Sequence, residues 1–336
     1  MEQAQPSRPG SHRPVVTVLC PAESPRPQLA ELEERMELRY TDEAGLADSV
    51  SDAEVLFLWD FFSTAVERVW SRAASLRWIH VGAAGVDKLL FDDLVDSAVT
   101  VTNARGAFDR PMAEFVLMCI LAHAKQASIS QDLQRAHRWV HRDTATVHGA
   151  RALVVGTGAI GRETARLLAV VGMQVRGAGR TAREGDPDFG TVVASADLAA
   201  HVGWADYVVG VAPLTPQTRK MFDAEVFHAM KPTGYLVNVG RGESVVESDL
   251  LDALSAGEIA GAALDVFGTE PLPEGHPLWE VPGVTVSAHM SGDAVGWRDT
   301  LARQFAENAQ RYLDGRPLLN VVDKRLGFVP PDRRGA

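Results

Sequence analysis

Val154–Val155–Gly156–Thr157–Gly158–Ala159–Ile160–Gly161 sets the spacing G-x-G-x-x-G directly after an apolar, β-rich run and directly before a stretch of helical periodicity. That context gives the spacing its meaning, because three glycines alone make only a turn. Gly156 permits the tight turn, Gly158 lets the main chain approach a pyrophosphate, and Gly161 lets the helix lie close on the strand. The N-terminus of that helix offers unpaired amides and partial positive charge to phosphates. A glycine-rich turn without a ligand is the alternative reading, and the strand-turn-helix setting disfavours it.

Working outward, an α/β series surrounds this turn. Arg151–Val155 reads as a strand, Ile160–Val171 as a helix, and Gln174–Gly177, Tyr207–Val211, Tyr235–Val239 and Gly261–Val266 as further strands. A second series lies upstream, with strands at Val15–Cys20, Val55–Trp59, Trp78–Val81 and Val99–Thr102 and helical stretches at Gln28–Glu37 and Thr64–Ala74. Between the two, Pro111 to His123 is apolar on nearly every side, as a helix buried between layers requires. The last helical stretch, about Asp299 to Leu313, precedes an extended segment at Leu318–Val322.

Bulk properties agree with two domains. A chain of 336 residues exceeds the usual single core. With 46% hydrophobic and 23% charged residues, and no apolar run near the roughly 20 residues that span a bilayer, a soluble protein is expected. The 33 basic and 44 acidic residues leave a net charge of −11, which argues against nucleic acid or an anionic membrane as partner. Cys20 and Cys119 are too few for a disulfide framework or a cysteine metal site, no metal is expected, and a reducing, cytoplasmic setting is favoured. Residues 1 to 14 lack a signal-type apolar stretch and read as a disordered lead-in.

A dinucleotide site of this type usually places an acidic residue on the ribose 2′-hydroxyl at the end of the second strand. Here that strand runs into Gly177–Ala178–Gly179–Arg180–Thr181–Ala182–Arg183. Arg180, Thr181 and Arg183 can hold a 2′-phosphate, so NADP(H) is expected over NAD(H), with NAD(H) still open. The alternative is that both arginines simply solvate a loop.

Further on, Arg241, Glu270 and His289 supply three side-chain types that reduction of a 2-oxo acid requires: a cation for the carboxylate, a carboxylate beside the proton donor, and the donor itself. They sit in Asn238–Val239–Gly240–Arg241–Gly242, Thr269–Glu270–Pro271–Leu272–Pro273 and Ser287–Ala288–His289–Met290–Ser291–Gly292, with Ala263–Leu264–Asp265–Val266 between the first two. Taken singly, Glu270 before a proline can begin a surface turn, and Asp265 at a strand end can be a turn cap.

Together these segments resemble the D-isomer-specific 2-hydroxyacid dehydrogenases. Ala83–Ala84–Gly85–Val86–Asp87, Val101–Thr102–Asn103, Ala113–Glu114–Phe115, Pro213–Leu214–Thr215–Pro216–Gln217–Thr218 and Asn320–Val321–Val322–Asp323 extend the likeness over nearly all the chain after about residue 50. Within the family the chain looks most like the glyoxylate/hydroxypyruvate reductases.

The resemblance implies an α/β fold of two doubly wound parallel-sheet domains, a Rossmann cofactor domain inserted in a flavodoxin-like substrate domain. The substrate domain would comprise residues 1–104 and 293–336, the cofactor domain 105–292, with the site in the cleft between them. By position, Arg241 would clamp the carboxylate and carbonyl, His289 would exchange the proton, and Glu270 would bond His289 and raise its pKa. Asp265 would orient the nicotinamide carboxamide. Thr157, Ala159 and Ile160 would lie against the pyrophosphate, with further cofactor contacts from Ala212, Pro213, Thr218, Val239, Gly240, Ser291 and Gly292. Backbone amides around Ala83, Ala84 and Gly85 would receive the substrate carboxylate. Trp59 and Trp297 would wall the pocket or else pack in the core. Homodimers are implied, with His137–Trp139 in the joining arm.

Two departures bear on detail. Ser287–Ala288 stand where the family more often has Thr-Pro, and Gly179 stands where its NAD users have Asp. Glu270 in place of a Gln disfavours formate oxidation. The competing functions are a nicotinamide-sensing, corepressor-like interaction protein and a phosphite-type oxyanion dehydrogenase on the same fold.

Overall fold

The apolar runs upstream of residue 104 become the strands of one parallel sheet. In the computed structural model, which describes residues 12–330, the chain forms β1 (Val15–Leu19), β2 (Glu37–Thr41), α1 (Leu46–Ser49), β3 (Val55–Leu58), α2 (Ala65–Val69), β4 (Trp78–Val81), α3 (Asp92–Asp96) and β5 (Thr100–Asn103). The five strands lie in the order β2-β1-β3-β4-β5, all parallel, which is the flavodoxin-like winding. β3 and β4 are buried at every position, as parallel strands covered on both faces must be.

The helix expected over Gln28–Glu37 is only a 3-10 turn at Ala30–Leu32. Glu37–Thr41 instead alternates Leu38 and Tyr40 with Glu37 and Arg39 and pairs as the edge strand β2. Of the expected disordered lead-in, residues 1–11 lie outside the described residues. Its last residues are tied to the sheet edge: Arg13 donates to the Met36 carbonyl at 2.9 Å, and the Pro14 carbonyl accepts from the Glu37 amide at 3.0 Å.

The chain continues through α4 (Asp109–Ala124), α5 (Ala127–Arg135), β6 (Arg151–Val155), α6 (Ala159–Val170), β7 (Gln174–Gly179), β8 (Arg183–Asp186), β9 (Gly190–Ala194), α7 (Ala199–Val202), β10 (Tyr207–Gly210), α8 (Ala224–Ala229), β11 (Tyr235–Asn238), α9 (Glu247–Ala256), β12 (Gly261–Leu264), β13 (Val284–Val286) and α10 (Trp297–Leu313). The second sheet has eight strands in the order β13-β12-β11-β10-β6-β7-β9-β8. Six of them, β9-β7-β6-β10-β11-β12, reproduce the Rossmann order 3-2-1-4-5-6. The antiparallel hairpin of β8 with β9 was not legible beforehand, because Arg183–Asp186 carries almost no apolar residue.

The chain divides into two units, one running through Ala104 and taking in Arg298–Arg325, the other comprising Arg105–Trp297 and the tail from Leu326. Residues 293–297 and that tail therefore group otherwise than the layout drawn from the resemblance. The tail is held in the second unit by Arg105 Nη1, which donates to the Pro330 carbonyl at 3.3 Å, and by Phe328, which packs under Arg180. Among the described residues no single helix is long and apolar enough to cross a membrane, and no three His, Cys, Asp or Glu side chains group as a metal site. At the end of α5, Trp139 of the arm expected to join two copies is fully exposed.

In the first unit α10 brings Phe305 and Tyr312 onto Trp78, with ring centroids 5.3 and 5.6 Å apart, and Phe305 also stacks on Phe57 at 4.1 Å. His80 is fully buried beside these rings. Trp78 Nε1 donates to the Thr102 hydroxyl at 2.8 Å, so that hydroxyl can give its own proton to His80 Nδ1, also at 2.8 Å. This leaves the ring proton on Nε2, which meets no partner among the described residues. Burial pushes the His80 pKa down from 6.5 to about 3. The unfolded chain therefore takes up this proton first, and the first unit loses stability as pH falls from about 6.5 toward 3. Denaturant midpoints at pH 7 and pH 5 should show a drop in the wild type that is smaller in His80→Leu; equal drops would refute the assignment.

Candidate active site

The glycine turn lies where the second sheet reverses its winding, between β6 and β10. Gly156 packs on the main chain of Ala212, the residue just beyond β10 and Val211, and Gly161 packs on the Gly156 carbonyl. Gly158 caps α6 with open space where a side chain would stand. No side chain caps α6, its first turn holds no acidic residue, and the amides of Ala159, Ile160 and Gly161 have no partner among the described residues. Unpaired amides, positive helix polarity and open space fit a pyrophosphate. Thr218 shapes the neighbouring turn: its hydroxyl donates to the Pro213 carbonyl at 2.6 Å and accepts from the Thr215 amide at 2.8 Å.

At the end of β7 the two arginines have different fates. Arg183 Nε and Nη2 both bind Asp186 Oδ2, at 2.9 and 2.8 Å, and its Nη1 reaches the Thr181 carbonyl at 3.3 Å. Asp186, with a side chain only 2% exposed, also takes both Nη atoms of Arg162. Burial pushes its carboxyl upward, but Arg162, the Asp188 amide and Arg183 outweigh burial and hold it far below the usual range. The expected guanidinium pair is thus one arginine engaged by a carboxylate and one, Arg180, with no hydrogen bond or ion pair among the described residues. A side chain at Gly179 would stand 2.9 Å from Thr157 Oγ1, so an aspartate there needs Thr157 to move. Thr181 is exposed beside Arg180.

The catalytic candidates gather at the C-terminal ends of β11 and β12 and beyond β13. Buried Asn238 accepts from the Gly240 amide at 3.2 Å and donates to the Arg241 carbonyl at 3.1 Å; Ser244 Oγ donates to the same carbonyl at 2.6 Å. Gly242 has no room for a Cβ, which would lie 1.9 Å from the Phe267 carbonyl carbon. Only glycine lets the Arg241 segment press on the loop that carries Glu270. That loop is fixed in turn by the Phe267 amide, which donates to Glu270 Oε1 at 2.9 Å. Glu270 Oε2 lies 2.7 Å from His289 Nδ1. Burial pushes the Glu270 carboxyl upward, yet the hydrogen bonds from His289 and Phe267 and the charges of His289 and Arg241 leave it below its usual range. Both side chains of the pair remain about 30% exposed, His289 at 30% and Glu270 at 31%. Arg241 Nη1 donates to the Gly240 carbonyl at 2.8 Å, and Val239 and Gly240 are buried.

His289 itself has φ of 50°, a left-handed conformation that costs a non-glycine residue. Asp265 holds it there. Its carbonyl accepts from the His289 amide at 2.8 Å; its Oδ1 accepts from Ser287 Oγ at 2.6 Å and the Met290 amide at 3.0 Å; its Oδ2 accepts from the buried Ser291 amide at 2.9 Å. The residue is 0% exposed, and its bonds to the His289 loop are of the turn-cap kind. Gly292, next in the loop, packs on Phe108.

In the first unit, Ala83, Ala84 and Gly85 follow β4. The Ala83 carbonyl accepts from the Ala104 amide at 2.9 Å and the Ala84 carbonyl from Asn103 Nδ2, whereas the three amides have no partner among the described residues. Successive free amides can receive an anion where the backbone turns them to one side. Trp59, by contrast, is 6% exposed, donates to the Pro25 carbonyl at 2.9 Å and meets Phe57 edge-on. It packs in the core, which was the other reading of that residue. Trp297 lies beside Phe108, with centroids 6.1 Å apart.

Sequence reasoning missed three supports: Ser287, which bonds Asp265, Asp186, which engages Arg183, and Phe328 under Arg180. The carboxylates of Asp186–Pro187–Asp188 so soon after Arg180 and Arg183 were the available signal for the second. Asp265→Asn should cost about 1–3 kcal/mol, because an amide must turn a donor toward amide and hydroxyl donors. A melting curve with unchanged midpoint would show that these bonds do not hold the loop.

The sequence model of the family described as D-isomer specific 2-hydroxyacid dehydrogenase, NAD binding domain, matches residues 117–291. The chain is 31% identical to the glyoxylate/hydroxypyruvate reductase A of Serratia proteamaculans over 259 residues, 75% of this chain and 82% of that protein. Among solved structures it is similar to an NADPH-dependent glyoxylate/hydroxypyruvate reductase from Sinorhizobium meliloti in complex with NADP and sulfate, at TM-score 0.79 and 28% identity, covering 94% of this chain and 100% of that one. A D-isomer specific 2-hydroxyacid dehydrogenase from Xanthobacter autotrophicus in complex with NADPH and MES gives TM-score 0.78 at 29% identity, over 94% of this chain and 100% of that one. With this family match spread across the glycine turn, Arg241, Glu270 and His289, the chain belongs to the D-isomer-specific 2-hydroxyacid dehydrogenases.

Proposed function

We propose that this dehydrogenase reduces a small 2-oxo acid of the glyoxylate or hydroxypyruvate type to the D-2-hydroxy acid, with NADPH preferred as reductant. The observation that carries the reading is the 2.7 Å contact of His289 Nδ1 with a Glu270 carboxylate whose other oxygen is pinned by the Phe267 amide. A carboxylate so fixed sets the orientation of the imidazole and places negative charge beside it.

Arg241 supplies the charge that holds the substrate's carboxylate and carbonyl. When bound, the reduced nicotinamide supplies the hydride. As the carbonyl carbon gains it, the oxygen gathers negative charge, and the proton leaves His289 Nε2 for that oxygen. The O–H bond forms as the N–H bond breaks, giving the hydroxy acid and a neutral imidazole that recovers its proton from solvent. In the oxidative direction the same nitrogen takes the proton. A positioned acid of this kind contributes about 10²–10⁴ in rate.

Preference for NADPH is supported by the missing acidic residue at Gly179, by Arg180, whose N–H groups have no hydrogen-bond or ion-pair partner among the described residues, and by the NADP-bound relatives. Loss of reduced-cofactor absorbance over a panel of glyoxylate, hydroxypyruvate and pyruvate, with NADPH and with NADH, tests the proposal. Turnover of glyoxylate or hydroxypyruvate is expected, faster with NADPH at equal concentration. No turnover of any 2-oxo acid, together with a gain of absorbance when phosphite is given with NADP⁺ or NAD⁺, or no turnover at all, would overturn it.

A further inference from the structure

The tail from Leu326 to Pro330 is not used by the chemistry above, yet it meets the loop that would read the cofactor's 2′-phosphate. Arg180 at the end of β7 sets its guanidinium carbon 4.8 Å from the centroid of the Phe328 ring. Arg180 is otherwise exposed, and its N–H groups have no hydrogen-bond or ion-pair partner among the described residues. Arg183 differs in kind, since the Nε–Nη2 edge of its fork is occupied by Asp186 and its Nη1 by the Thr181 carbonyl. Of the two arginines, Arg180 keeps its donors for an incoming anion.

An exposed arginine samples many rotamers, and binding a phosphate then costs the entropy of ordering it. An aromatic face beneath the guanidinium removes much of that cost in advance. The interaction uses the face of the cation and leaves the planar N–H edges for a forked contact with phosphate. Phe328 is itself held in place, because Arg105 Nη1 donates to the Pro330 carbonyl two residues on.

We propose that Phe328 is a positioning residue for cofactor selection: the tail holds Arg180 flat so that it presents its N–H edge to the 2′-phosphate of NADP. The proposal rests on the NADPH reading given above. It predicts a selective effect, because only the 2′-phosphate distinguishes NADP⁺ from NAD⁺. A purely structural role for Phe328 would weaken both alike.

Calorimetric titration of NADP⁺ and of NAD⁺ into the full-length wild type, Arg180→Ala, Phe328→Ala and Phe328→Tyr provides the test without relying on turnover. Phe328→Ala should raise the Kd for NADP⁺ about three- to tenfold and that for NAD⁺ less than about twofold, with Phe328→Tyr near wild type. Arg180→Ala should show a larger selective loss. If Arg180→Ala is selective but Phe328→Ala weakens both dinucleotides equally or neither, the proposal is wrong and the NADPH reading stands. If Arg180→Ala changes both alike, the 2′-phosphate reading itself fails and the proposal falls with it.

Discussion

The site depends on the buried carboxyl group of Asp265. Both of its oxygens accept from one short loop, from the Ser287 hydroxyl and the amides of Met290 and Ser291, and its own carbonyl takes the His289 amide. A buried acceptor left without donors would cost heavily, so the loop and the carboxyl group stabilise one another. Their mutual hold offsets the left-handed backbone of His289, and the imidazole is thereby delivered to Glu270. Ser287, which stands where the family more often has Thr, donates its hydroxyl to Asp265.

A second constraint acts from the neighbouring strand. Asn238 and Ser244 grip the Arg241 carbonyl, while the absent side chain of Gly242 lets that segment touch Phe267. Phe267 then donates its amide to Glu270. Arginine, glutamate and histidine come from separate loops, yet each loop is fastened to the next by a main-chain contact. Parallel winding brings these loops to one end of the sheet, where polar groups can serve a ligand without breaking the ladder.

Much of this was legible in the chain before its fold. The apolar strand runs, the glycine turn and the ordered Arg241, Glu270 and His289 segments each carry a local signal, either periodicity or a residue type tied to one chemistry. Glu37–Thr41 and Arg183–Asp186 were not legible as strands, because edge strands mix charge with apolar residues and gain their structure from pairing. Asp265 could be placed, but its bond to Ser287, on a loop 22 residues downstream, could not be read from the chain. The same holds for Trp59, whose indole partner Pro25 lies 34 residues away. Arg183 kept its charge in the sequence and lost its availability in the fold, to a carboxylate three residues on.

In the proposed reaction His289 is the proton donor, mounted by the Glu270 and Asp265 loops. Substitution His289→Ala in the intact enzyme, with turnover of a 2-oxo acid and NADP⁺ binding both measured, bears on that claim most directly. Turnover should fall by about 10²–10⁴ while the Kd for NADP⁺ stays within about twofold of wild type. Wild-type turnover in this variant would contradict the account.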